Sequence, residues 1–295
     1  MAKLKISLKP AIRKLEIITK ALVKSHFIGG YRSGFKGRGL EFTEYREYTP
    51  GEDASRIDWK ASMRTNQLLM KSYEEERKLN VALLIDTSSS MVYGTTEKLK
   101  NEYAAEVAVS LGYAILEAGD HLGFITFSDK IKEKVYPEPG KKQFYLLSKA
   151  LVNINSYGGG YDLANTLKFS LEFFKPFSLI IIISDFIGLK GNWERYLRIA
   201  AKKFDVVGIM IRDPRDKVLP ETDTQLILED PFTRKQIIIQ PEKIKKAFRN
   251  HVKRNELYLK SLFEKTGSGF ISLTTNEDFV NPILLFFKER IRKWR

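Results

Sequence analysis

"LNVALLIDTSSSMVYG", residues 79–94, decides how the rest of the chain is read. Apart from Asn80, the run Leu79–Ile85 is continuously apolar, with the Val and Ile content of a strand. That is the pattern of a central strand buried on both faces. The chain then steps directly into Asp86, Thr87 and three serines. An unpaired carboxylate and a cluster of hydroxyls at the end of such a strand are costly unless something binds them. In open α/β sheets that carboxyl end is where ligands sit.

Outward from this stretch, strands and helices alternate. Strands are predicted at 79–85, 121–127, 131–136, 178–184, 205–211 and 268–273, and helices at about 97–118, 141–154, 162–175, 190–203, 241–266 and 278–292. This rhythm implies an α/β fold: a doubly wound, mostly parallel six-stranded sheet, with 131–136 as an antiparallel edge strand after a short turn. Residues 213–240 interrupt it and read as a loop and a hairpin, "TQLILED" and "RKQIIIQ" around a Pro-containing turn. On the other side, 10–25 has the apolar spacing of an amphipathic helix, and "GGYRSGFKGRG" (29–39) carries five glycines that break regular structure. "TPGEDASRIDWKASMR" (49–64) reads as a turn and a short helix, and "LLMKSYEEE" (68–76) as a strand. The expected organisation is therefore an accessory, β-containing segment at 1–78 and a sheet domain at 79–212 and 241–295. The insertion 213–240 is expected to pack with the accessory segment.

Composition narrows the function. Apolar residues make up 43% and aromatics 12%, a globular balance. No cysteine is present, which excludes disulfides, thiolate metal sites and a cysteine nucleophile. Apolar runs no longer than "LIIII" at 179–183 are too short to span a bilayer, and lysines interrupt the N-terminal apolar residues, so neither a membrane span nor a signal peptide is expected and the location expected is cytoplasmic. The net charge of +14 is uneven: residues 1–78 hold 17 basic and 10 acidic side chains. Such a surplus attracts nucleic acid, anionic lipid or an acidic protein, or simply forms a solvated face.

A second acidic strand end follows the run 179–183 and supplies Asp185 from "ISDFIG". If the two strands are parallel neighbours, Asp86, Ser88, Ser90 and Asp185 converge on one edge of the sheet, and the glycine loop "YGGGYD" (157–162) can fold over it. Carboxylate and hydroxyl oxygens without His or Cys suit a hard cation such as Mg2+ or Mn2+. The bland alternative is that Asp86 caps the helix beginning near Thr96, or that the serines satisfy loop backbone groups. The second strand-end aspartate and the glycine loop favour the cation.

"DTSSSM", the later glycine loop and "ISDF" resemble the metal-ion-dependent adhesion site of von Willebrand factor A domains. The stretch "GRGLEFTEYREYTPGEDASRIDWKASMRTNQLLMKSYEEER", with "GDHLGFITFSD", "SDF" and "DPRDKVLP" in order, resembles the bacterial domain of unknown function 58 family, over roughly residues 29–275. The resemblance implies a von Willebrand A-like sheet and metal ligands Asp86, Ser88, Ser90 and Asp185. It also implies a threonine where this chain has Tyr161. A phenol cannot use that short reach, so Asp162 or a water takes the place, or the metal binds weakly. On this reading Tyr161→Thr should strengthen binding, unless Tyr161 packs over the site. In the hallmark segment, Arg46, Asp53, Arg56, Asp58 and Trp59 are expected to form an ion-pair network that locks the segment onto the sheet.

Three function classes remain. The resemblance implies a non-enzymatic, metal-dependent interaction protein whose partner presents an Asp or Glu to the ion, acting as companion of a MoxR-type AAA+ ATPase in protein assembly or maturation. Nucleic-acid binding through the basic N-terminal arm is the alternative. A magnesium-dependent phosphohydrolase is the minor one: no histidine lies in a triad or metal spacing, and position 88, where a phosphoaspartyl transferase would want a second acid, is Ser88.

Overall fold

The computed structural model describes residues 41–49, 52–65, 67–74 and 78–294. The helix expected at 10–25 and the glycine-rich loop at 29–39 lie outside them. The chain divides into two compact units, a small one ending at Leu79 and a larger one from Asn80 onward.

In the small unit, β1 (Glu41–Glu47) pairs antiparallel with β2 (Leu69–Glu74), and α1 (Trp59–Thr65) lies between them in sequence. Ile57 bridges to Met70, and both are buried. Of the expected ion-pair network, the side chain of Arg56 lies outside the described residues. Arg46 forks onto both oxygens of Glu52 at 2.8 Å, Asp53 accepts from Ser55 N, and Asp58 caps α1 through Lys60 N and Ala61 N. Trp59 is 61% exposed. Short polar side chains at helix starts satisfy backbone N–H groups that have no partner within the helix, and that is the work the two aspartates do here.

The larger unit follows the predicted alternation closely. Its elements are β3 (Asn80–Asp86), α2 (Lys100–Glu117), β4 (His121–Phe127), β5 (Ile131–Glu138), α3 (Lys141–Val152), α4 (Leu163–Phe173), β6 (Leu179–Ser184), α5 (Trp193–Lys203), β7 (Asp205–Arg212), the single turn α6 (Pro214–Lys217), the hairpin β8 (Leu226–Glu229) and β9 (Gln236–Ile239), α7 (Pro241–Lys265), β10 (Gly269–Thr274) and α8 (Val280–Trp294). The strands order as β10-β7-β6-β3-β4-β5, all parallel except the antiparallel edge β5.

Alternation of side chains across the strands divides the core between two faces. Ala82, Leu84, Ile180, Ile182, Val206 and Met210 meet residues from α4, α5 and α7, including Leu167, Leu197 and Phe263. The intervening residues Val81, Leu83, Ile85, Ile181, Ile183 and Ile209 point to the other face and are equally sealed from solvent. Each buried Val, Leu or Ile contributes about 1.5–3 kcal/mol relative to exposure, so the two central strands carry much of the stability. From β3 the chain first steps to β4 on one side, then returns to β6 on the other. The carboxyl ends of β3 and β6 therefore flank a topological switch point, where open α/β sheets leave a crevice.

Candidate metal centre

Asp86 ends β3 and Asp185 directly follows β6, its parallel neighbour. The two carboxylates come to one edge, as the strand ends predict. Asp86, Ser88, Ser90 and Asp185 are each at most 2% exposed. A chain of oxygens links three of them: Ser88 Oγ lies 3.1 Å from Ser90 Oγ, and Ser90 Oγ donates to Asp185 Oδ1 at 3.1 Å. Asp86 Oδ1 accepts from Ser88 N at 2.8 Å, and its Oδ2 accepts from Ser184 Oγ at 2.7 Å.

The bland alternative holds in part. Asp86 does satisfy a loop N–H two residues on, the local pattern short acidic side chains favour. It does not cap a helix near Thr96; α2 begins at Lys100, where Glu102 accepts from Leu99 N at 2.8 Å.

The glycine loop folds over this edge. Gly158 N donates to Thr87 O at 2.7 Å, and Ser89 N donates to Gly159 O at 3.1 Å. Gly158 and Gly159 have φ of 106° and 92°, a region side chains resist. Lys132 of β5 fastens the loop from below, donating to Ser156 O and Gly158 O at 2.7 Å each.

Asp162 is not part of the cluster. Its side chain accepts from Asn165 N at 2.9 Å and caps α4, and among the described residues no hydrogen bond joins it to Asp86, Ser88, Ser90 or Asp185. Tyr161 also turns away from the loop surface. It is 7% exposed and sits in the core beside Phe127, ring centroids 5.8 Å apart. Its hydroxyl lies 3.1 Å from Ser184 Oγ. A serine hydroxyl has one proton, and Asp86 takes that of Ser184, so the phenol donates to Ser184 and supports the Ser184–Asp86 bond. Burial, then the Asp86 charge, hold the phenol well above its ordinary pKa, so it remains a donor.

Residues that the sequence reading missed surround the site. Lys100, 1% exposed, places Nζ 2.7 Å from Asp185 Oδ2 and 3.1 Å from Asp216 Oδ2. Burial works against its charge, but Asp185 and Asp216 outweigh it and raise the pKa. Asp213 holds Thr95 through its backbone N–H at 2.7 Å and its hydroxyl at 2.6 Å. Asp86 has no such cation: among the described residues it makes no ion pair. Burial, and the neighbouring Asp185 carboxylate, push the Asp86 carboxyl up to about 7. No cluster of three or more His, Cys, Asp or Glu side chains is arranged as a metal cage among the described residues; the donors here are two carboxylates and hydroxyls. No helix among them is long and apolar enough to cross a membrane.

Comparison with known proteins places these features in a family. The chain is 26% identical to the uncharacterized protein Rv1480 of Mycobacterium tuberculosis over 97% of its own length and 90% of that protein. Among solved structures it is similar to an aerotolerance-related membrane protein from Bacteroides fragilis (14% identity, 73% of this chain and 99% of that one, TM-score 0.49) and to a von Willebrand factor type A protein from Catenulispora acidiphila (15%, 77% and 44%, TM-score 0.43). The profile of the family described as "Protein of unknown function DUF58" matches residues 44–258, which bears out the resemblance carried by the hallmark segment, and the chain belongs to that family.

Proposed function

We propose that the carboxyl edge of the sheet is a divalent-cation site through which this protein docks an acidic group of a partner protein, without catalysis. The observation that carries the reading is the unpaired buried carboxylate of Asp86 beside a run of hydroxyl and carboxylate oxygens spaced 3.1 Å apart. Neighbouring oxygens in the octahedral shell of Mg2+, with bonds of about 2.0–2.1 Å, are themselves roughly 3 Å apart. The donor chemistry therefore fits a hard cation, held by Asp86, Ser88, Ser90 and Asp185, with water completing the shell. Bound there, the cation would supply a Lewis-acidic point for a partner's Asp or Glu.

The protein's own residues prepare that edge. Lys100 neutralises one side of Asp185, leaving Oδ1 turned towards Ser90. Tyr161 and Ser184 orient Asp86. The cluster is closed over, so docking requires the 157–160 loop or residues 91–94 to shift; the two left-handed glycines give the former a place to bend. Through the family resemblance, the partner proposed is a MoxR-type AAA+ ATPase or its client, in protein assembly or maturation.

Calorimetric titration of Mg2+ and Mn2+ into wild type, Asp86→Ala and Ser88→Ala tests the site, with binding expected only in the first. Capture of a MoxR-type ATPase, with magnesium and then with EDTA, tests the docking; capture that survives both EDTA and Asp86→Ala would refute it.

A further inference from the structure

Arg212 ends β7 at the same edge of the sheet. It is 5% exposed, yet its Nε is buried with no hydrogen-bond partner. No ion pair or side-chain hydrogen bond of its guanidinium occurs among the described residues. A guanidinium stays charged at any physiological pH, and burying a charge without a partner is unfavourable. The acids nearest in sequence are committed elsewhere: Asp213 to Thr95 and Arg215 N, Asp216 to Lys100 and Asp213 N.

The surroundings hold charge of both signs: Asp86 and Asp185 act on the same Tyr161 hydroxyl as Arg212. Arg212 follows Met210 by two residues, so its side chain lies on the α4–α5–α7 side of the sheet, and its positive charge is felt at the Tyr161 hydroxyl. Its register partner on β10 is Thr274, whose Oγ1 accepts from Lys217 Nζ at 2.8 Å. A second cation and a hydroxyl thus flank the end of β7.

We propose that Arg212 is an anion-binding residue that takes an oxyanion, carboxylate or phosphate, at the carboxyl ends of β7 and β10. The planar fork of guanidinium N–H donors matches either group in a two-bond contact. This site does not require a metal. It would give the edge a second recognition point beyond the cation proposed above.

The test is thermal unfolding and NMR in EDTA, with no divalent metal, so that failure of the metal reading leaves it unaffected. Inorganic phosphate and N-acetylglutamate are titrated separately. One of them should raise the melting temperature of wild type in the millimolar range and shift the Arg212 Nε–Hε resonance. Response to phosphate alone identifies a phosphoryl ligand, and response to the carboxylate alone an acidic side chain. Arg212→Gln should weaken the response at least tenfold without lowering the anion-free melting temperature, since it removes an uncompensated charge, and Arg212→Lys should retain part of it. No response of wild type to either anion, or an equal response in Arg212→Gln, would overturn the assignment.

Discussion

Replacing Asp86 by asparagine should stabilise the metal-free protein at neutral pH while leaving it unchanged in acid. The carboxyl rises from 3.8 in the unfolded chain to about 7 in the folded one, because burial and Asp185 both disfavour its charge. A folded protein that holds this proton more tightly is most stable below the unfolded pKa. It loses that stability as pH climbs from about 4 to about 7, and above 7 the whole cost is present. The shift corresponds to roughly 4 kcal/mol. Urea unfolding of wild type and Asp86→Asn in EDTA, between pH 4.5 and 8, should show a difference in stability that opens with pH to about that size and then levels. Adding magnesium at pH 8 should close most of it in wild type and do nothing for the variant. A difference that stays flat across the range would refute the claim that Asp86 is a buried, uncompensated charge.

Three other perturbations follow from the same geometry. Lys100→Met strips the ammonium from Asp185 and Asp216 and should destabilise by about 3–5 kcal/mol in urea titration, the usual result of orphaning a buried charge. Tyr161→Thr, expected from the family pattern to strengthen metal binding, should cost about 2–5 kcal/mol of stability by leaving a cavity beside Phe127, while Tyr161→Phe should cost only about 1 kcal/mol for the lost hydrogen bond; both are read by urea unfolding. Gly159→Ala forces a side chain into φ of 92° and within 2.9 Å of Asp129 Oδ1, so the loop should lose about 1–3 kcal/mol, visible as faster amide exchange at Gly158 and Ser89.

The parts of the fold visible in sequence are those where burial writes an unbroken signal. Val81–Ile85 and Leu179–Ile183 are apolar on both faces, the pattern of an interior strand, and the acid that comes at or just after the end of each marks the edge. Strand β1, "EFTEYRE", was not legible: its alternation is aromatic against charged, and three glutamates read as surface. Lys100 was hidden for a different reason. In "TTEKLKNE" it is one of two lysines at a helix start, and only the folded position of Asp185 and Asp216 decides which is buried. Tyr161 occupied the expected loop position, but its direction depends on a pocket formed by Phe127, which lies on another strand. Ser184 looked like the last residue of a strand and proved to orient Asp86.

The lysine between Asp185 and Asp216 has a consequence for how the edge behaves over time. One half of its charge is settled when the chain folds, because the counter-ion is covalently attached and cannot dissociate. The other half, around Asp86, is left to solution conditions. The Asp86 side of the edge is therefore where acidity, or a bound cation, would act on stability, while the loop after β6 stays tethered by its own lysine.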